Sequence, residues 1–564
     1  MLPTIKKIQT AAFAIIISGL FYYQAVNGNN FLTRAKSNFI RLIPVDAPRG
    51  LIYDTNGKPL VENKLNFNIC LFNSKEKNKT FKKISDITGI ETKVLSTNFR
   101  KNFLAPFIPT PIFITDDREK IIRLEEANIP QLIVRLTPKR RTVYPYSFAH
   151  IIGYTRKLSG KDLFLKKYGY HLTEESGYSG IEKSYNSYLR GTSGGTQIEV
   201  DAYGNRIGIL SEKPPLPGKN IYLTINSQIQ NSAYQALGKF QGSIILIEAE
   251  TGRIIAMANK PSFNSDLFLD SKEYFRKLSQ SRRKPLLNRA IQAEYPLGSV
   301  FKPVITIAAL EEGSISKNTR FFCPGYFKIK DAVFKCSHTH GWQNLIEALT
   351  HSCNVFFYNL GIRIGGKKIA YYAKALGFGR LTGIDLPFEK KGLVPSPQWK
   401  QKKLRQKWYT GDTINFAIGQ GYFLTTPIQT AIMMCVFANK GYLIQPYLVK
   451  QIGDIEIPLR KKELTGLKMK DIEIVNQGLR QAVEDETGTA HILEQLNLRI
   501  AGKTGTPQVK SKSAHGWFSG FFPYKKPKYV ITVILEHAGS SYQACKAAYR
   551  FLNDLKEKGI ITEQ

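Results

Sequence analysis

Three short motifs in this sequence carry residue types that could catalyse nucleophilic attack on a carbonyl group. The first is a Ser-x-x-Lys tetrad formed by Ser299 and Lys302, which follows a Pro-x-Gly turn and opens an apolar segment. At the N-terminus of a helix, the Ser299 hydroxyl would lie where free N–H groups and the helix dipole favour negative charge. Lys302, one turn further on the same face, would act as its base if burial disfavoured the ammonium form.

The tetrad is weak evidence by itself, because four Ser-x-x-Lys sequences occur in the chain, beginning at Ser74, Ser281, Ser299 and Ser314. Only the one at Ser299 follows a Pro-x-Gly turn and leads into a long apolar stretch. For any isolated tetrad, an N-cap serine beside a surface lysine is the alternative interpretation. The assignment of Ser299 as nucleophile therefore depends on the other motifs.

The second motif is Ser-x-Asn, formed by Ser352 and Asn354, and the third is Lys503-Thr-Gly-Thr506. Ser-x-Asn is common by chance, whereas Lys-Thr-Gly occurs once in the chain. Gly505 would let a ligand lie against a strand edge and extend the sheet through backbone hydrogen bonds. The lysine and the two threonine hydroxyls of this motif would bind a carboxylate, although a plain turn before a strand is the alternative interpretation.

Three cysteines and one histidine form a further constellation with the spacing C-x12-C-x3-H-x12-C: Cys323, Cys336, His340 and Cys353. Three thiolates and one imidazole suit a closed tetrahedral zinc site, and we expect no organic cofactor. Cys353 stands between Ser352 and Asn354, so zinc would fix this turn from behind, in a structural role. The alternatives are a Cys323–Cys336 disulfide with Cys353 simply buried, and His338 as the ligand in place of His340.

The segments that must position these motifs divide at a proline-rich stretch, 210–218. Before it, short apolar runs alternate with turn residues and predict mainly strands, with the Lys- and Asn-rich stretch 74–101 as a loosely packed, solvated lobe. After it, the pattern predicts helices at 227–238, 300–312, 343–350, 427–440 and 471–484, and strands at 243–248, 253–257 and 528–536. Early strands, a block of helices and late strands predict an α+β domain whose sheet is closed by distant parts of the chain.

An apolar stretch near the N-terminus, residues 8–26, follows Lys6 and Lys7. As a helix it would span about 28 Å, close to the hydrocarbon thickness of a bilayer. Tyr22 and Tyr23 fall where an aromatic belt is expected, and the two lysines favour a cytoplasmic N-terminus. We therefore predict a retained signal anchor, with a cleaved signal peptide as the alternative.

The composition excludes several classes of protein. A hydrophobic fraction of 43 % supplies a sizeable core, which excludes wholesale disorder, and six cysteines in 564 residues do not make a disulfide scaffold. The net charge of +36 is spread along the whole chain rather than set in one stripe. We therefore expect solvated lysine-rich faces beside an anionic membrane or glycan, and no nucleic-acid partner.

The order of the three motifs, with steps of 53 and 151 residues, resembles that of the penicilloyl serine transferases. Further segments resemble the class B penicillin-binding proteins, and among these the elongation-type enzymes: Arg49–Gly57, Gly180–Glu182, Asn288–Ala290, Gly377–Pro387, Trp408–Asp412, Ile418–Gly421 and Thr426–Gln429. The resemblance runs from about residue 45 to 540. Val300 stands where threonine is usual, a departure that removes no catalytic group.

The resemblance implies a penicillin-binding transpeptidase fold, α+β with an antiparallel sheet and packed helices, on a β-rich elongated pedestal. It divides the chain into a cytoplasmic tail (1–7), a transmembrane signal anchor (8–26), a pedestal (27–218) and a transpeptidase domain (219–564). The catalytic body would be periplasmic and held at the bacterial inner membrane by a single span. A membrane glycosyltransferase of the SEDS family would be its partner.

The implied activity is that of a peptidoglycan D,D-transpeptidase, with stem peptides as substrates and β-lactams as inhibitors. Ser299 would attack the carbonyl between the two terminal D-Ala residues of a stem peptide, and Lys302 would take its proton. Ser352 would relay a proton to the leaving amine, and Asn354 would hold the backbone amide of the donor peptide.

The Lys-Thr-Gly segment would bind the terminal carboxylate through Lys503, Thr504 and Thr506, and Lys503 would also keep Lys302 partly neutral by repulsion. The N–H groups of Ser299 and Thr506 would form the oxyanion hole. Two alternatives remain at this point. The same motifs occur in D,D-carboxypeptidases and β-lactamase-like hydrolases, and a catalytically silent, β-lactam-binding scaffold that activates a glycosyltransferase would also retain them.

Overall fold

The protein is described by a computed structural model that places residues 2–31, 39–74, 76–104, 108–129, 131–157, 175–201, 206–460, 462–509 and 512–562. The chain forms two compact units. The smaller unit comprises 1–50, 63–141 and 190–218, and the larger unit comprises 51–62, 142–189 and 219–564. The segment 51–62 belongs to the larger unit because its strand Ile52–Tyr53 pairs in parallel with Ile221–Leu223. The four-part division of the chain stays a prediction.

The N-terminal segment forms a helix, Leu2–Phe21, that continues as a π-helical turn, Tyr22–Val26. Residues Pro3–Val26 are long and apolar enough to cross a membrane. The helix begins before the predicted residue 8, because Pro3 lies in its first turn, where proline costs no hydrogen bond.

The smaller unit contains the strands that its turn-rich sequence predicts. A three-stranded antiparallel sheet has the order Ile40–Val45, Gly194–Val200, Arg206–Lys213. Thr110–Thr115 and Leu132–Thr142 both pair with the long strand Pro59–Leu71, which lies in this unit from Asn63 onwards.

The prediction of a loosely packed lobe at 74–101 is wrong. Helices Lys77–Thr88 and Thr92–Asn102 occupy this stretch, and Arg118–Glu126 is a third helix of the unit. Phe81 and Ile84, then Leu95 and Phe99, are buried in one apolar cluster. These pairs are spaced three and four residues apart, so each helix has an apolar stripe that the surrounding lysines and asparagines conceal in the composition.

A five-stranded antiparallel sheet forms the centre of the larger unit, in the order Ile254–Lys260, Gly242–Glu248, Tyr529–Leu535, Gly516–Phe522, Ala501–Gly505. Strands from both ends of the unit thus form one sheet, as the sequence predicts. Alternate residues face two apolar clusters: Ile245 and Ile247 belong to one, and Ile244 and Leu246 to the other. Helices therefore cover both faces, and Ala501–Gly505 is an edge strand.

Helices Ser227–Ala236 and Ser541–Glu557 contribute to the second cluster, and Lys302–Glu311 and Pro427–Ala438 to the first. Every residue from Lys302 to Leu310 is buried. The remaining helices of the larger unit are Ala149–Ile152, Gly180–Ser184, Asn186–Leu189, Leu267–Asp270, Lys272–Gln280, Arg289–Gln292, Leu345–Thr350, Asn354–Ala375, Pro397–Leu404, Thr410–Ala417 and Met469–Glu484.

Short strands complete the larger unit. Paired strands are Thr155–Lys157 with Glu175–Gly177, Phe321–Cys323 with Gly341–Gln343, Tyr326–Ile329 with Ala332–Lys335, Tyr442–Ile444 with Lys462–Leu464, and Val449–Ile452 with both Ile221–Leu223 and Ile455–Glu456. The pairs between residues 321 and 343 carry or flank three of the four residues of the Cys/His constellation: Cys323, Cys336 and His340.

Candidate active site

Ser299 lies in one turn of 3-10 helix, Gly298–Phe301, that leads directly into Lys302–Glu311. The N–H groups of Leu297 and Gly298 donate to the carbonyl oxygen of Gly419 at 3.1 and 3.0 Å. Gly298 has a φ of +64°, a conformation that suits glycine. The backbone before the serine is therefore held in place, and the serine stands at the start of a buried helix, as the sequence predicts.

The side chain of Lys302 is completely buried and donates three hydrogen bonds to the second motif. Its Nζ lies 2.6 Å from the carbonyl oxygen of Ser352, 3.1 Å from the Ser352 hydroxyl and 2.8 Å from Asn354 Oδ1. Burial lowers the pKa of Lys302 to about 8, while the thiols of Cys353 and Cys336 act in the opposite direction. Burial is thus the main cause, in place of the repulsion from Lys503 that the resemblance implies.

The turn that carries Ser352 and Asn354 has a conformation that directs alternate side chains to opposite sides. Ser352 has a φ of +58°, which is rare for a residue with a side chain. Ser352 and Asn354 both contact Lys302, whereas Cys353 is fully buried and donates its N–H to the carbonyl of Ala348 at 3.0 Å. Asn354 begins the helix Asn354–Ala375, which is interrupted at Gly365, so this turn is joined to the helical segment 354–364.

The third motif lies on the edge strand of the central sheet, Ala501–Gly505, and packs against the turn that bears Ser299. A Cβ built at Gly505 would lie 2.8 Å from the carbonyl oxygen of Leu297 and 3.0 Å from Val300. A larger residue would clash there. Because Lys503, Thr504 and Gly505 lie within a strand, the alternative of a plain turn before a strand is wrong. The free edge of the strand is therefore held beside Ser299.

Lys503 is completely buried, and its ammonium has no hydrogen-bond partner among the residues that the structure describes. Its pKa is well below the ordinary value, first because of burial and then because of the positive charge of Lys302. The hydroxyl of Thr504 donates to Thr489 at 2.8 Å, and that of Thr506 accepts the N–H of Ser541 at 3.0 Å. The protonated form of a buried amine without a partner would be stabilised by an anion.

Sequence reasoning overlooked a buried ion pair behind the nucleophile turn. Glu536 accepts hydrogen bonds from Arg289 Nε at 2.9 Å and from the Tyr295 hydroxyl at 2.6 Å, and its pKa is lowered mainly by the charge of Arg289 against the effect of burial. Tyr295 lies four residues before Ser299. No local signal could identify Glu536, because its partners lie more than two hundred residues away in the chain.

His351 is a second residue without a local signal. One ring nitrogen lies 2.8 Å from Gln343 Oε1 and the other 3.0 Å from the hydroxyl of Thr487. The ring also stacks on that of His340, with centroids 6.0 Å apart. His351 thus joins the Ser352 turn to the loop that precedes the Lys503 strand.

The four predicted residues of the Cys/His constellation come together: Cys323, Cys336, His340 and Cys353 have donor atoms within 4.8 Å of one another. The Nδ1 atom of His340 lies 3.5 Å from the sulfurs of both Cys323 and Cys336. Cys336 also accepts the N–H of Asn354 at 3.2 Å. All six cysteines of the chain are free thiols in this structure.

The comparisons with known proteins agree with this site. A family described as the penicillin binding protein transpeptidase domain matches residues 242–557, and one described as the penicillin-binding protein dimerisation domain matches residues 44–223. The chain is 32 % identical over 563 residues to a Haemophilus influenzae protein named peptidoglycan D,D-transpeptidase MrdA. The alignment covers 93 % of this chain and 86 % of that relative.

Two solved structures share the fold. The complex between penicillin-binding protein PBP2 and MreC from Helicobacter pylori has a TM-score of 0.83 at 28 % identity, over 93 % of this chain and 100 % of that chain. The second structure is described as "Structural coordination of polymerization and crosslinking by a peptidoglycan synthase complex". It has a TM-score of 0.74 at 27 % identity, and the alignment covers 98 % of this chain and 97 % of that chain. The chain therefore belongs to the penicillin-binding proteins, with their transpeptidase fold and peptidoglycan D,D-transpeptidase activity.

Proposed function

We propose that this chain cross-links peptidoglycan stem peptides during cell elongation, through a covalent intermediate on Ser299. The observation that carries the assignment is Lys302, which is buried one helical turn after Ser299 and hydrogen-bonded to Ser352. An amine with a pKa of about 8 is neutral in a useful fraction of molecules near pH 7, whereas an exposed lysine is almost entirely protonated.

Acylation begins when the neutral amine of Lys302 takes the proton of the Ser299 hydroxyl. The serine Oγ then bonds to the carbonyl carbon of the penultimate D-Ala, and the bond from that carbon to the terminal D-Ala nitrogen breaks. The Ser352 hydroxyl, 3.1 Å from Lys302 Nζ, relays the proton to the leaving nitrogen. D-Ala departs as the neutral amine, and Lys302 returns to its neutral form.

The donor peptide would be held by the free edge of the strand Ala501–Gly505, to which it adds as a further strand. Its terminal carboxylate would give Lys503 the partner that it lacks and would raise the pKa of this lysine, with the hydroxyls of Thr504 and Thr506 as further donors. The N–H groups of Ser299 and Thr506 would stabilise the oxyanion, at about 3–4 kcal/mol per donor. The Asn354 amide would orient the donor's backbone.

In the second half of the reaction, the amine of an acceptor stem attacks the ester carbonyl. The bond to Ser299 Oγ breaks, the amine loses one proton through Lys302, and the serine hydroxyl is restored. The product is an amide cross-link. Water as the acceptor would instead make the chain a carboxypeptidase.

An assay of transfer against hydrolysis tests this function. Incubated with a stem-pentapeptide donor and an amine-bearing stem-tetrapeptide acceptor, the chain is expected to release one D-Ala per cross-linked peptide formed. D-Ala release without cross-linking would show the hydrolase. Covalent labelling by penicillin without turnover would show the scaffold.

The partner and the topology are part of the proposal. The N-terminal helix would anchor the chain in the inner membrane with Lys6 and Lys7 in the cytoplasm and the catalytic body in the periplasm. The structures similar to this chain include a complex with MreC and a peptidoglycan synthase complex. We propose that this chain assembles with a membrane glycosyltransferase of the SEDS family.

The Cys/His cluster is proposed to hold one zinc ion in a closed structural site. The donor set fits: three thiols and one imidazole lie within 4.8 Å of one another, and hydrogen bonds from Cys353 and from the N–H groups of Val355 and Asn354 lower the pKa of Cys336. When bound, the metal supplies no step of the reaction. Cys353 lies between Ser352 and Asn354, and its position would be fixed from the side away from the substrate.

The chain purified without chelator is therefore expected to contain about one zinc ion, and removal of the metal is expected to lower the unfolding midpoint by roughly 10 °C. The substitution Cys323→Ser should abolish the metal content. The matched substitution Cys545→Ser, at a buried cysteine outside the cluster, should retain it. Metal-free protein whose mass is about 2 Da lower than that of the reduced chain would show the Cys323–Cys336 disulfide instead.

A further inference from the structure

An open cavity of about 540 Å³ lies on the larger unit, apart from the three motifs. Its lining residues are Pro397, Gln398, Gln401, Lys402, Lys407 and Trp408. The lining thus combines one aromatic ring, two primary amides and two cations. Trp408 is held rigidly: its Nε1 donates to the Thr413 hydroxyl at 2.7 Å, and a Cβ built at Gly366 would lie 2.8 Å from three atoms of its ring.

The surroundings of this Trp408 cavity are strongly cationic. Residues 397–409 contain five basic residues and no carboxylate. One of the five, Lys400, is buried in an ion pair with Asp412 at 2.6 Å. The other four are exposed, and none of them forms an ion pair with any carboxylate in the part of the chain that the structure describes: Lys402, Lys403, Arg405 and Lys407. Their charge is therefore available to an anionic ligand.

The Trp408 cavity lies beside the helical segment that begins at Asn354. Trp408 packs on Gly366, which lies 12 residues after Asn354 in the helix Asn354–Ala375. The helix is interrupted at Gly365, which has a φ of +76°, so Gly366 lies at most about 20 Å from Asn354, and an extended pentapeptide spans about 17 Å. The cavity thus lies within about one stem-peptide length of Asn354.

We propose that the Trp408 cavity binds the acceptor strand, an anionic glycopeptide of peptidoglycan. This inference rests on the proposed function, because it assigns the binding place of the second substrate. The indole face offers apolar contact to a sugar ring, Gln398 and Gln401 offer amides for hydrogen bonds, and Lys402 and Lys407 attract the carboxylates of the strand. The acceptor would be held by charge and shape, close enough to Asn354 for its amine to reach the acyl-enzyme.

The test measures transfer to two acceptors with a stem-peptide thioester as donor. The large acceptor is a disaccharide tetrapeptide with a free side-chain amine, which lacks the D-Ala-D-Ala end of a donor. The small acceptor is D-alanine, which is too short to reach the cavity. For the double substitution Lys402→Glu/Lys407→Glu, we expect the KM for the large acceptor to rise about tenfold, with no comparable change for D-alanine.

The matched control is Lys525→Glu/Lys526→Glu, which makes the same change in net charge at two exposed lysines of a strand-connecting turn. All rates are divided by the fraction of chains that react with fluorescent penicillin, so that unfolded protein is not counted. An unchanged KM for the large acceptor in the cavity variant, or an equal rise in the control, would overturn the inference alone. A wild-type chain that transfers to neither acceptor would overturn the proposed function, and this inference with it.

Discussion

Replacement of Ser299 by alanine is expected to remove covalent labelling by a fluorescent penicillin completely, while the unfolding midpoint changes by less than about 2 °C. The serine is half-buried, and its hydroxyl makes no hydrogen bond with the residues that the structure describes, so that its loss leaves the turn intact. The covalent bond to a β-lactam has no other place to form if Ser299 is the nucleophile. Gel fluorescence and a thermal melt measure the two quantities.

The chain offers a matched control for this experiment. Ser281 begins another Ser-x-x-Lys tetrad, which ends at Lys284 and lies outside the three motifs. The substitution Ser281→Ala should therefore leave the labelled band at wild-type intensity. A labelled band that persists in Ser299→Ala, or one that disappears in Ser281→Ala, would show that Ser299 is not the nucleophile as assigned.

Lys302→Met is expected to reduce the rate of penicillin acylation about a thousandfold, which is the usual contribution of a general base. Methionine fills a similar volume but cannot take the Ser299 proton, and it leaves the carbonyl of Ser352 and Oδ1 of Asn354 without their donor. The acylation rate of Lys302→Arg should be equally low, because a guanidinium group stays protonated in proteins and cannot act as a base. Stopped-flow measurement of acylation gives both rates.

The pH profile separates a base from a merely structural lysine. With a pKa of about 8, Lys302 is neutral in about 1 % of chains at pH 6 and in about half at pH 8. The wild-type acylation rate should therefore rise roughly fiftyfold between these values and level off above pH 9, and the residual rate of Lys302→Met should lack this rise. Lys260→Met, at a half-buried lysine that bonds to Gly238 elsewhere in the unit, should keep the wild-type profile. A flat wild-type profile would contradict the role of Lys302 as base.

Local pattern was sufficient where a residue's role depends on its near neighbours. The helix after Ser299 is visible as an apolar run that follows a Pro-x-Gly turn. The strand at Lys503 is not visible in this way, because Ala501–Gly505 contains no apolar run and a plain turn was the alternative there. The same reasoning failed at 74–101, where four apolar residues at helical spacing were outnumbered by lysines and asparagines. Composition averages over both faces of a helix, whereas burial depends on one face only.

Contacts between distant segments could not be predicted in this way. Glu536 binds Arg289 and Tyr295 across more than two hundred residues, and nothing in the sequence near Glu536 indicates such partners. The ring of His351 contacts Thr487, and Trp408 packs on Gly366, for reasons that only the folded arrangement of helices supplies. Side-chain partners of this kind depend on the packing of whole elements, which a one-dimensional pattern does not contain.

The sequence by itself determined the chemical inventory: a Ser-x-x-Lys motif before an apolar helix, a Ser-x-Asn motif, a Lys-Thr-Gly motif, and three cysteines and one histidine with the spacing of a metal site. It also determined the family, since the order and spacing of these motifs are specific when taken together. Only the tertiary structure decided which of the two active-site lysines bonds to the turn and which stays unpartnered. Lys302 is bonded to Ser352 and Asn354, and Lys503 is buried without a partner. The reason is that the pKa of an amine depends on its burial and on nearby charges, and both are set by segments that meet only in the folded chain.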